Sequence, residues 1–203
     1  MVLKTITFKI IMLIFLLFFL INWTLEKDDS NIKIYSKPLI NNLKAYKATS
    51  IINKNILDLS LFLLKINNHC QWVYNCLKST KPKTFSTNHF YIYYQIDTPW
   101  PVQNREILSD TKFNIGIQNN QVFISIIMNV LKGEALNKNF YRVQEGKITL
   151  NLKEINYNQT YIEFIYEINP GSNIPETIVN PYNYYLTYNT IKNLKKYMEK
   201  KDL

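Results

Sequence analysis

The chain of 203 residues is poor in the residues that make irregular or cross-linked proteins. Four glycines and seven prolines exclude collagen-type and low-complexity chains. Two cysteines, Cys70 and Cys76, cannot build a disulfide scaffold, and no Cys/His cluster has zinc spacing. The two histidines, His69 and His89, fall in different elements, and neither lies near a serine or cysteine in a nucleophile context. Neither a catalytic residue nor a metal or other cofactor is therefore expected. Acidic residues are also scarce, 15 against 24 basic, which gives a formal charge of +9. What is plentiful is apolar and aromatic: 47% hydrophobic and 14% aromatic residues exclude disorder and supply a core. Heavy use of Asn, Ile and Lys reads as codon bias of an AT-rich genome.

The N-terminus has the pattern of an export signal. Lys4 and Lys9 precede an unbroken apolar run over residues 10–21, and the charged stretch Glu26, Lys27, Asp28, Asp29 follows. The run is shorter than the about 20 residues of a spanning helix, yet no small-x-small cleavage site ends it. Residues 1–21 are thus expected to be a signal peptide or N-terminal membrane anchor; a buried core helix is the non-exported alternative. With the lysines held inside, residues 22–203 would be periplasmic or anchored to the outer face of the inner membrane. That remainder carries a formal +7. Export sets nucleic acid aside as its partner; an anionic lipid surface, worth about 1 kcal/mol per nearby lysine, uses the charge better.

Residues 22–203 show neither an internal repeat nor a linker and are expected to form one domain. Residues 32–35 and 46–52 have the character of short strands. Asn53 is a candidate N-cap for a helix over residues 54–66, whose apolar residues run nearly all round and should be largely buried. Alternation then dominates: Phe90, Ile92, Tyr94 and Ile96; Phe113, Ile115 and Ile117; Val122, Ile124, Ile126 and Met128; Ile148, Leu150 and Leu152; Ile162, Phe164, Tyr166 and Ile168. Period two with polar outer positions means antiparallel strands with one wet face. Asn119-Asn120 and residues 156–158 are the tight turns. After the break at Pro170-Gly171-Ser172, Pro175 suits the first turn of a helix. Ile178, Tyr182, Tyr185, Leu186, Leu194 and Met198 recur at helical spacing, with Pro181 inside the pattern as an expected kink. Cys70 and Cys76 have two fates open: a small disulfide loop, or packing of a free Cys76 beside Trp72.

The segment Asp97-Thr98-Pro99-Trp100-Pro101-Val102-Gln103-Asn104-Arg105-Glu106 resembles the Asp-x-Pro-Trp-Pro-x-x-Asn-Arg-Asp segment of bacterial START (StAR-related lipid transfer) proteins. Trp23 with Ile32-Lys33-Ile34-Tyr35, Trp72-Val73-Tyr74-Asn75-Cys76, Tyr141-Arg142-Val143 with Gly146, Pro170-Gly171-Ser172-Asn173-Ile174-Pro175 with Val179-Asn180, and Tyr188-Asn189-Thr190-Ile191-Lys192-Asn193-Leu194-Lys195 agree in order, so the likeness covers roughly residues 22–200. Glu106 stands for the usual Asp, and Ile148 where many relatives have Trp. The resemblance, to the exported bacterial branch of the helix-grip (SRPBCC) superfamily, implies an α+β fold: a curved antiparallel sheet wrapped around a long C-terminal helix, with a hydrophobic tunnel between them. It implies binding of a lipid or other hydrophobic ligand, as carrier or sensor, without catalysis; a monomer is expected. A helix-grip enzyme of cyclase or hydrolase type and an envelope interaction module without ligand are the alternatives.

On that fold the inward set expected to line the tunnel is Ile92, Tyr94, Ile115, Ile124, Ile126, Leu150, Phe164, Tyr166, Tyr185 and Leu186. Arg105, which opens a strand after a rigid turn, is either an anchor for a lipid headgroup or a structural cation paired with Asp97 or Glu106; the second is preferred. Residues 129–138 lack any period and are expected to act as a gate at the tunnel mouth, with an ordinary loop as the alternative.

Overall fold

The computed structural model describes residues 23–29, 31–171 and 174–200; the expected export segment, residues 1–21, lies outside them. Ten strands form one curved sheet: β1 Thr24–Asp29, β2 Ile32–Pro38, β3 Lys44–Ile52, β4 Cys76–Ser86, β5 His89–Ile96, β6 Arg105–Gln118, β7 Gln121–Val130, β8 Tyr141–Arg142, β9 Glu145–Asn156 and β10 Gln159–Asn169. Their order is β1-β2-β3-β10-β9-β7-β6-β5-β4, antiparallel throughout, with the short β8 parallel to β6 off this path. Among the described residues two α-helices complete the fold, α1 Ile56–Leu63 and α2 Glu176–Lys200. Among the described residues no helix is long and apolar enough to cross a membrane.

The alternation seen in the sequence becomes rows across the inner face. Ile34, Ala48, Phe164, Leu150, Ile126 and Phe113 are successive cross-strand partners from β2 to β6, and all are buried. Such pairs stabilise a sheet while handing one apolar surface to whatever covers it. α2 is that cover over β2, β3 and β10. Pro175 precedes it, and its carbonyl accepts from the amides of Ile178 and Val179, which satisfies the first turn. The helical pattern continues past Pro181 to Lys200.

Several local expectations are corrected. α1 is capped by Asn55, whose side chain accepts from Leu57 N at 2.8 Å, and it is shorter than residues 54–66. Leu57 and Leu61, four residues apart, face solvent, so α1 is amphipathic rather than buried all round. β1 and β4 carried no alternation because each is an edge strand. β4 holds Lys78, Lys81 and Lys83 with Pro82 at a register break, the composition that keeps an exposed edge from pairing further. Cys70 and Cys76 form a disulfide.

The segment expected to gate a tunnel is tied to the outer face instead. Glu106 on β6 is fully buried there and takes a hydrogen bond and ion pair from Arg142 at 3.1 Å. It also accepts from the Tyr93 hydroxyl at 2.7 Å and the amides of Leu136 and Asn137 at 2.6 and 3.2 Å. Burial, then the Glu106 hydrogen bond, pushes the Tyr93 hydroxyl up to about 12, so it remains a donor. Arg142 reaches on to the Leu131 carbonyl at 3.3 and 3.4 Å. Arg142→Met would strand a buried carboxylate and should cost about 3–5 kcal/mol. Urea unfolding measures this; a change under about 0.5 kcal/mol, the size typical of surface substitutions, contradicts it.

Candidate ligand-binding site

Between the sheet and its cover lie two partly enclosed spaces. The first, ≈ 40 Å³, is walled by the inner faces of β5, β6, β7, β9 and β10, by Leu186 of α2, and by residues 63–73 after α1. The second, ≈ 30 Å³, lies under the β5–β6 loop, where Thr98, Pro99 and Val102 face the start of α2. Ile96, Ile107 and Tyr166 belong to both walls, so the two spaces adjoin at these residues.

Of the residues expected to point inward, Ile92, Tyr94, Ile126, Leu150, Phe164, Tyr166 and Leu186 line the first space. Ile124 is buried one row further along, against Leu152 and Ile162, and borders neither space. Two further expectations are corrected. Ile115 pairs with Ile124 on the correct face, but at 62% exposure it sits where the long β6–β7 hairpin runs past its cover. Tyr185 is 55% exposed, because the buried stripe of α2 runs through Val179, Asn183, Leu186, Thr187, Thr190, Ile191, Leu194 and Met198. That stripe contains three polar residues, which hid it from a count of apolar spacing. Thr187 donates to the Asn183 carbonyl at 2.7 Å, and Thr190 accepts from the Tyr74 amide at 3.2 Å, so their burial is matched.

Arg105 is buried and lines the second space, but Glu106, one of the two acids expected to pair with it, is turned away. Neighbours on a strand point to opposite faces, so Arg105 looks inward while Glu106 looks out to Arg142. Arg105 instead donates to the carbonyls of Gln103 and, at 3.2 Å, Pro170, and lies 4.9 Å from the centre of the Tyr141 ring.

The polar corner of the first space escaped sequence reasoning. His69 is buried in the 3-10 turn Ile66–Gln71, which holds it against β5. Its Nε2 lies 2.7 Å from the Leu63 carbonyl, which can only accept, so Nε2 carries the proton and Nδ1 accepts from the Tyr94 hydroxyl. Trp72 packs edge-on against His69, ring centres 5.0 Å apart. The signal was the group His69, Cys70, Trp72 and Cys76: the Cys70–Cys76 disulfide brackets the turn that carries Trp72. His89, by contrast, pairs with Asp110 at 2.6 Å on the outer face.

No family model matches the chain. An uncharacterized protein of Pseudomonas aeruginosa is 23% identical over 188 residues, covering 89% of this chain and 88% of that one. Among solved structures, a STAR-related lipid transfer protein of Xanthomonas axonopodis is similar with a TM-score of 0.75 at 20% identity, over 87% of this chain and 98% of that one. Human StAR-related lipid transfer protein 5 is similar with a TM-score of 0.76 at 9% identity, over 90% of this chain and 89% of that one. The chain has the helix-grip fold of START domains, as its sequence motifs implied.

Burial lowers the pKa of His69 to about 4, against the opposing pull of its bond to the Leu63 carbonyl. An unfolded chain binds this proton below about 6.5 and the folded one does not, so stability is complete above that pH and falls as the pH drops toward 4. The loss amounts to about 3 kcal/mol. His69→Gln, which does not titrate, should unfold with a correspondingly flatter pH dependence between 6.5 and 4; equal slopes in urea titrations contradict this.

Proposed function

We propose that this chain binds a lipid or other hydrophobic ligand in a tunnel between the sheet and α2, as a monomeric carrier or sensor. The observation that carries this reading is the pair of adjoining apolar spaces in a START fold, with Ile96, Ile107 and Tyr166 in both walls. Parting those side chains joins the two into one channel, and the loop over the second space is the wall that no strand backs. Trp100 projects from that loop with 92% of its surface in solvent. An indole suits the interface of a membrane, and a formal +7 on residues 22–203 suits an anionic one.

The purified protein, incubated with anionic vesicles and examined by native mass spectrometry, should carry a lipid. Ile126→Trp fills the first space and should reduce uptake with little change in melting temperature, whereas Ile124→Trp overpacks a solid region and costs about 1–3 kcal/mol. Trp100→Ser should slow extraction from the vesicles. A protein that stays empty favours an interaction module instead, and a lipid chemically altered on incubation favours a cyclase- or hydrolase-type enzyme.

Export belongs to the same reading. Lys4, Lys9 and the apolar run supply the signal, and the Cys70–Cys76 disulfide is of a kind that persists in oxidising compartments. The site of action is then the periplasm or the outer face of the inner membrane. Residues 1–30 fused to alkaline phosphatase, which is active only outside the cytoplasm, should give activity; its absence contradicts export.

A further inference from the structure

We propose that the end of the ligand lodged beside residues 63–73 carries an uncharged oxygen acceptor, such as a ketone, ester or ether oxygen, and that Trp72 donates its indole N–H to it. This rests on the first space being the ligand site. Four polar side chains stand in its wall: His69, Tyr94, Trp72 and, on the side shared with the second space, Tyr166. Two of them are spent on each other, since the Tyr94 hydroxyl donates to His69 Nδ1 and His69 Nε2 donates to the Leu63 carbonyl. Trp72 Nε1 is different: among the described residues it is a buried side-chain donor with no hydrogen-bond partner. Buried polar groups are almost always matched, and an orphan in a cavity wall marks an absent acceptor.

The same wall limits the charge of that acceptor. No Asp, Glu, Lys or Arg among the described residues lines the first space, and His69 stays neutral at pH 7 because burial holds its pKa near 4. An ionised head would lie there without a counter-charge. The nearest cation in either wall, Arg105, belongs to the second space and is held by the Gln103 and Pro170 carbonyls and the Tyr141 ring. A pure hydrocarbon needs no counter-charge but leaves the indole N–H unmatched. A neutral acceptor satisfies both conditions.

Three ten-carbon probes separate these cases: decan-2-one, decane and decanoate. In the folded wild-type protein at pH 7, the Trp72 indole N–H resonance should move downfield with decan-2-one and stay in place with decane. Trp72→Phe keeps an apolar ring and removes the donor; it should bind decan-2-one about tenfold more weakly and decane unchanged. Decanoate should bind the wild type at least about tenfold more weakly than the ketone. An unmoved resonance while the ketone binds, equal ketone affinity in Trp72→Phe, or decanoate binding as tightly as the ketone overturns the assignment and leaves the cavity reading intact. If neither decane nor decan-2-one binds the wild type, the cavity reading itself fails, and the assignment with it.

Discussion

The inner face of a ten-stranded sheet has to be removed from water across its whole width, and α2 packs mainly on β2, β3 and β10. The remaining face, presented by β5, β6, β7 and β9, is closed by large side chains and by the turn after α1. A helix of fixed width against a wider curved surface leaves a seam, and both partly enclosed spaces lie along it. Close packing is the rule in protein interiors, so even small voids beside one helix mark where packing was not completed. The polar residues in the stripe of α2 belong to the same pattern. Asn183, Thr187 and Thr190 are matched by backbone groups and give the helix less apolar surface to lock against the sheet than its length suggests.

Charge inside the molecule is partitioned by strand parity. Arg105 and Glu106 are adjacent in sequence yet serve opposite faces of β6. Glu106 organises the outer face, where it joins Arg142, Tyr93 and the segment from Leu131 to the start of β8. Arg105 is left on the inner side among carbonyls and an aromatic ring. The outer cluster therefore fixes a loop that sequence alone suggested as a gate, and the inner face around the first space is nearly free of charge. That apolar setting is what gives the neutral His69–Tyr94 pair and the indole of Trp72 their weight.

A chain with four glycines must still make tight turns. Six asparagines, Asn31, Asn41, Asn42, Asn75, Asn119 and Asn120, adopt positive φ, the left-handed conformation that asparagine tolerates better than other side chains. The abundance of Asn thus has a structural use beyond codon bias. Gly146 is retained at φ 148, where a Cβ would stand 2.7 Å from the Glu167 carbonyl oxygen.

Period two was enough to read β5, β6, β7, β9 and β10 and the face each turns inward, because alternation is a local property of the strand. The Asn119-Asn120 turn and the start of α2 at Pro175 were legible for the same reason: backbone preference is written in the residues themselves. The edge strands β1 and β4 were not, since a strand with little to bury carries no apolar period. Nor could alternation say what covers a face: Ile115 has the correct parity and lies in solvent, while Ile124 has it and sits in solid core. Tyr185 and the polar stripe of α2 were misread because a threonine whose hydroxyl is satisfied by backbone buries as well as a leucine. The meeting of His69, Tyr94 and Trp72, and the award of Glu106 to Arg142 rather than Arg105, depend on contacts between residues far apart in the chain. Those contacts exist only once the sheet has curved and its cover has been laid across it.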